Sequence, residues 1–259
     1  MPLRFSLLLA ALALLTAPLA AQPVESVAAP DPWARPTITI AEAIADADGN
    51  GLPDRIGEDV IVSGRVSAGT GLVRSDRAEI YLQSGGAGLR LLLPPDAPQV
   101  LTGDSLSASG ALAFEAGITQ MVAPAFRVAD VPQTEIPVAT LGEIDGPLEG
   151  YEGQLVEILG DVVQVDEVEG GHLLVLLSGK TLVQVFAYDQ RLGEAVDLGR
   201  FEVGQKVRAR GIASQFDTEP PYDGGYVIHP RAPGDVRTAG VPPSVLWGSA
   251  LGALGLLAV

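Results

Sequence analysis

Short runs in which apolar and polar residues alternate, separated by Gly, Asp, Asn and Pro, fill most of this chain, and helical spacing is scarce. A period of two belongs to strands that bury one face. The pattern predicts strands over Asp59–Ser67, Ala78–Gln83, Gly88–Leu93, Ser105–Phe114 and Gln120–Val128. A second set follows over Gln154–Val165, His172–Ser178, Thr181–Ala187, Lys206–Gln215 and Tyr226–Pro230, with Tyr188–Phe201 as a longer connection between its third and fourth members. Lead-in turns of helix are expected at Ala41–Ala45 and Leu141–Ile144.

The two sets share one order of landmarks. Gly57–Val66 reads Gly-Glu-Asp-Val-Ile-Val-Ser-Gly-Arg-Val, and Gly153–Val162 reads Gly-Gln-Leu-Val-Glu-Ile-Leu-Gly-Asp-Val. Gly103–Gly110 corresponds to Gly204–Gly211, and Pro124 with Ala129-Asp130-Val131 to Pro230 with Gly234-Asp235-Val236. A long period in two copies means tandem domains rather than a solenoid. Five strands with a long third connection predict an OB-fold, a small Greek-key barrel. The expected fold class is therefore all-β, with two tandem five-stranded OB-fold-like barrels at 38–131 and 148–237. Residues 22–37, 132–147 and 238–244 are read as linkers.

The ends differ from the middle. Arg4, the apolar run Phe5–Leu15 and Leu19-Ala20-Ala21 before Gln22 follow the order of a secretory signal, so 1–21 is expected to be a signal peptide. Val245–Val259 is apolar after the helix-breaking Val241-Pro242-Pro243 and is expected to be the start of a transmembrane helix, short of the roughly 20 residues a span needs. The alternative is a C-terminal sorting tail of the exosortase type, although the Glu of Pro-Glu-Pro and a terminal Arg cluster are missing. Together these place the protein outside the cytoplasm, in the cell envelope and anchored at its C-terminus.

Composition narrows the partners. The 259 residues carry 32 acidic against 16 basic side chains, a formal charge of −16, with 47% hydrophobic residues. The chain can build cores, and its acidic surface makes nucleic acid an unfavourable ligand, because phosphates are bound mainly by Lys and Arg. There are no cysteines, which excludes disulfides and thiol chemistry.

The segments Gly-Gln-Leu-Val-x-Ile-x-Gly-x-Val at 153–162, Val-Gly-Gln-Lys-Val-Arg-Ala-Arg-Gly-Ile at 203–212 and Pro-Pro-Tyr-Asp-Gly-Gly-Tyr-x-Ile-x-Pro-Arg at 220–231 resemble OB-fold modules attached to exported bacterial proteins. The likeness is greatest to the extracytoplasmic input regions of membrane-bound signalling proteins, notably sensor histidine kinases, and covers roughly residues 38–237. It implies binding rather than catalysis. OB-folds generally bind through the face of strands two and three and the adjoining loops.

Four constellations carry candidate chemistry. Asp46, Asp48, Asn50 and Asp54 place oxygens at positions 1, 3, 5 and 9 of a calcium-type loop with a Gly at position 6, while Gly57 stands where such loops carry a bidentate Glu. Tight turns account for the same residues without Ca2+. Gly103-Asp104-Ser105-Leu106 spells an esterase nucleophile motif, yet its repeat counterpart Gly204-Gln205-Lys206-Val207 has no hydroxyl, and a serine nucleophile needs a base. The only histidines, His172 and His229, lie in the other block, so no catalytic residue is assigned. The loop holding Phe216, Asp217, Tyr222, Asp223 and Tyr226 pairs aromatic rings with carboxylates and is the expected ligand loop, for a small molecule, saccharide or protein. The competing reading is that its Tyr and Pro residues only stiffen the hairpin.

The leading expectation is a non-catalytic extracytoplasmic ligand-binding or sensory module of a membrane-anchored protein. The alternatives are a calcium-stabilised structural or adhesive envelope protein and a nucleic-acid-binding accessory of an exported nuclease.

Overall fold

Residues 31–122 and 124–240 are described in a computed structural model. The expected signal peptide at 1–21 and the membrane segment at 245–259 lie outside the described residues, among which no helix is long and apolar enough to cross a membrane.

The chain opens with a single helical turn, α1 (Ile40–Ala43), started by a capping box between Thr39 and Glu42. Six strands follow: β1 (Asp59–Ala68), β2 (Glu79–Ser84), β3 (Ala87–Leu92), β4 (Ser105–Glu115), β5 (Ile118–Val122) and β6 (Ala125–Val128). They are hydrogen-bonded in the order β1-β2-β3-β5-β4, and β4 returns to β1, so the sheet closes; β3 and β5 run parallel. A second set comprises β7 (Ala139–Gly142), β8 (Leu155–Val168), β9 (Gly171–Ser178), β10 (Thr181–Tyr188), β11 (Lys206–Gln215), β12 (Tyr226–His229) and β13 (Val236–Thr238). Here β8-β9-β10-β12-β11 close in the same way, with β10 and β12 parallel. Both barrels are OB-folds.

Alternation fills each barrel. Val60, Val62, Ile80, Leu82, Leu89, Leu91, Leu106, Ala108 and Met121 point into the first, and Ile40 and Ala43 of α1 join that core. Val156, Ile158, Leu174, Leu176, Val183, Val185, Val207, Ala209 and Ile228 fill the second. Its long connection after β10 stays irregular and contributes Val196, Leu198 and Phe201 to the core.

The structure corrects three expectations. The single strand at Gln120–Val128 is two, β5 and β6, separated at Pro124, which has no N–H for a ladder. The helical turn at Leu141–Ile144 is absent. Ala139–Gly142 is instead an edge strand parallel to β8, ended by Gly142 at φ +67°, and the helical character moves to a 3-10 turn at Glu149–Tyr151. Third, Leu106 faces Val128 as Val207 faces Thr238, so Phe126 is the counterpart of Val236, and the match of Val131 to Val236 does not hold.

The connection between the barrels is itself built in. Its Ile136 is buried with Ala68, Val73, Tyr81, Leu155 and Ile212 in a third apolar cluster, which draws residues from both barrels.

Candidate functional site

Strands two and three of each barrel present outward faces of opposite fate. In the first barrel the outward residues of β2 are Glu79, Tyr81 and Gln83, and Arg90 faces outward from β3 beside Tyr81; all four are buried, at 4, 2, 7 and 8% exposure. The second barrel covers them. Gln83 accepts a hydrogen bond from Leu155 N through Oε1 (2.9 Å) and donates to Pro137 O through Nε2 (3.0 Å). Gly88 lies against Gly153 so closely that a Cβ on Gly88 would sit 2.1 Å from the Gly153 carbonyl carbon. Arg231 Nη1 donates to Ser67 O (2.6 Å), and Arg74 lies 4.6 Å above the Tyr188 ring, which stacks on His229. Burial holds the His229 imidazole down to about 4, helped by the positive charges of Arg74 and Arg90 and opposed by its bond to Phe186 O. Burial also raises the Tyr81 phenol and the Glu79 carboxyl.

The matching face of the second barrel is open. Register places Leu173, Val175 and Leu177 of β9 beside Phe186, Gln184 and Leu182 of β10. Leu182 is 64% exposed and Leu177 38%. Across β8 the same rows carry Asp166, Gln164 and Asp161. A groove of about 540 Å3 crosses this surface, walled by Gln164, Val175, Leu182 and Gln184 on one side and by Asp223 and Tyr226 of the β11–β12 loop on the other.

The expected ligand loop therefore divides. Asp223 and Tyr226 reach the groove, where Tyr226 donates its hydroxyl to Glu149 Oε2 (3.0 Å). Burial raises the Glu149 carboxyl, and the nearby negative charges of Asp223, Asp46 and Asp217 oppose its ionisation further. Tyr222, at φ +60°, packs edge-on against Phe114 of the first barrel at 5.1 Å. Asp217 is spent inside the loop, accepting from Glu219 N and Gly224 N, and its own N–H donates to Ala116 O of the first barrel (2.9 Å). Phe216 is 74% exposed and does not line the groove. Sequence reasoning missed Leu177, Leu182 and Gln184. The signal was the unbroken apolar run Leu173–Leu177, which leaves an antiparallel strand with no polar face.

The calcium-type loop folds as a compact turn. Carboxylate oxygens of Asp46, Asp48 and Asp54 lie within 4.8 Å of one another, all exposed. Asp46 accepts from the N–H groups of Gly49, Asn50 and Gly51, while Asn50 Oδ1 accepts from Leu52 N. Glu58 pairs with Arg55 (2.8 Å) and Asp59 with Arg35 (3.2 Å), so both carboxylates beyond the loop are engaged. Gly51 touches Pro221 and Tyr222 of the second barrel. Beside it Glu152 accepts from Thr119 N (2.9 Å), and burial pushes its carboxyl up to about 8.

Ser105 lines a cleft of about 610 Å3 beside the connection between the barrels, with Ser63, Arg65, Ser84 and Gln154. No imidazole is on that lining. His172 lies 3.7 Å from Asp189 and His229 is buried against Phe186 O, both in the second barrel.

No family model and no curated protein matches this chain. Solved structures do. OBody AM3L09, bound to hen egg-white lysozyme, is 18% identical over 35% of this chain and 85% of its own, with a TM-score of 0.27. Fission yeast Pot1 with ssDNA is 10% identical over 76% and 87%, with a TM-score of 0.34. The p202 HIN1 domain with a 12-mer dsDNA is 11% identical over 75% and 100%, with a TM-score of 0.33. At this degree of likeness, ligand chemistry has to be read from the chain's own residues.

Proposed function

We propose that this chain is a non-catalytic extracytoplasmic binding module of a membrane-anchored, signal-transducing protein, with its ligand site on the second barrel. One observation carries the reading: the strand-two and strand-three face is sealed in the first barrel and open in the second, where it meets the Asp223–Tyr226 loop in a groove. The first barrel then acts as a brace that holds the loop from behind through Phe114 and Ala116. The order of charged, apolar and small residues at 1–21, the apolar stretch at 245–259 and the resemblance to sensor input regions support the location and the signalling role.

The test is a ligand screen read by Leu182→Asp and Tyr226→Ala. Both variants should melt within a few degrees of the parent and lose the ligand. A ligand retained by both would place the site elsewhere.

A second reading, a calcium-stabilised structural or adhesive envelope protein, is favoured by the convergence of Asp46, Asp48 and Asp54. It expects millimolar Ca2+ to raise the melting temperature, an effect that Asp46→Asn removes; the same melting curve with chelator and with Ca2+ would dismiss it. A nucleic-acid ligand would set phosphates beside Asp161, Asp166 and Asp223, which opposes binding.

A further inference from the structure

We propose that the open face of the second barrel docks an extended protein segment whose apolar side chains are flanked by Lys or Arg. This rests on the groove being the binding site, and it names the partner's chemistry.

The apolar content of the face is out of place for a surface that meets only water. Leu173, Val175, Leu177, Leu182 and Phe186 lie in adjoining cross-strand rows, and the two leucines at the open end are the most exposed of them. A contiguous apolar patch of this kind marks an interaction surface. The first barrel supplies the contrast within the same molecule. Where β2 and β3 are covered by protein, their outward residues are Glu79, Tyr81, Gln83 and Arg90, with Gln83 bonded across the junction to Leu155 N and Arg90 bonded beside it to Gln120. The uncovered face has the residues that gain most from being covered, because each leucine removed from water contributes about 1.5–3 kcal/mol.

The rim selects the partner's charge. Asp161 and Asp166 flank the rows of Leu177 and Leu173, and Asp223 closes the groove. Among bases close by, Lys206 is already shared between Glu143 and Asp161, and Lys180 stands at the β9–β10 turn. The Glu149 carboxyl, raised by burial and by the nearby negative charges of Asp223, Asp46 and Asp217, reports the same accumulation of negative charge. A basic rim on the partner relieves it, and complementary charge acts on specificity and association rate. A second copy of this chain would bring an equally acidic rim. A saccharide would want an exposed flat ring, whereas the one aromatic residue lining the groove, Tyr226, is tied to Glu149, and Phe216 lies outside.

The experiment uses the full chain and dye-labelled probes in fluorescence anisotropy: two synthetic peptides with one alternating Leu/Val core, one ended by Lys at both termini and the other by Glu, beside a neutral oligosaccharide and a single-stranded oligonucleotide. The Lys-ended peptide should bind at least about tenfold tighter than the Glu-ended one, a gap that high salt narrows. Leu182→Asp should weaken it by about tenfold or more without changing the melting temperature, and Asp166→Asn with Asp223→Asn should erase the preference for Lys. Equal binding of the two peptides, or binding indifferent to Leu182→Asp, overturns the proposal. So does a Leu182-dependent response to the oligosaccharide or the oligonucleotide alone, which leaves the groove standing as the site. A dimer in light scattering that Leu182→Asp dissolves would make a second copy the occupant. If no probe responds to Leu182→Asp or Tyr226→Ala, the groove reading fails as well.

Discussion

The β2–β3 face of the first barrel and the β9–β10 face of the second occupy the same place in the same fold, and they have exchanged the surfaces a reader of alternation would give them. Glu79 and Gln83 have the polar pattern of a wetted face and are buried. Leu177 and Leu182 have the pattern of a covered face and are exposed. A barrel fixes which side chains point outward. It does not fix what they meet, and the junction satisfies buried polar groups through specific partners: Arg90 bonds Gln120 and Glu115, and Gln83 bonds Leu155 N and Pro137 O.

The largest expected effect comes from the matched pair Tyr81 and Val175. Tyr81→Ala should cost about 3–5 kcal/mol and split a single calorimetric transition into two, as the barrels lose their shared cluster. Val175→Ala, on the open face, should cost about 1 kcal/mol or less. A single sharp transition for Tyr81→Ala would show that the junction does not couple the barrels. Next is the pair Gly88 and Leu182, equivalent in register. Gly88→Leu drives a side chain into the Gly153 backbone and should cost about 3 kcal/mol in urea unfolding. Leu182→Ser should stay within about 1 kcal/mol. Similar costs for the two would mean that both faces are equally covered.

Two titrations sharpen the same contrast. His229 is buried in the junction, whereas its counterpart Val122 on the first barrel is 47% exposed. With its folded pKa at about 4, below the ordinary 6.5, the unfolded chain binds the proton first, so stability present above pH 6.5 should be lost as pH falls toward 4, by roughly 2–3 kcal/mol. His229→Gln should flatten that limb; an unchanged limb would put the imidazole in water. Glu152 has the opposite sign. Its folded pKa of about 8 is above the ordinary 4.5, so the folded state is favoured below pH 4.5 and loses that advantage as pH rises to 8. Some of its surface is wetted, so the effect should be roughly 2 kcal/mol or less. Glu152→Gln should remove it, as seen in melting temperatures across that range.

Much of the fold could be read directly. Nine of the ten expected strands stand close to their expected positions, because alternation and turn residues act locally. The tenth broke at Pro124, a residue whose effect on a ladder was visible in advance. The site was only half legible. The loop from Phe216 to Tyr226 was recognised by its aromatic and acidic residues, but whether a ring enters the groove or packs on Phe114 depends on a neighbour far away along the chain.

By itself the sequence determined two repeats, their strands, the inward residues that fill each barrel and the acidic character of the surface. The tertiary structure decided which outward face is covered, where the loop is braced and how the carboxylates of Asp46, Asp48 and Asp54 converge. The physical reason is range. Strand formation and inward burial follow from side-chain order over a few residues, while the environment of an outward side chain is set by whatever distant segment packs against it, and in this chain the second barrel packs against only one of two equivalent faces.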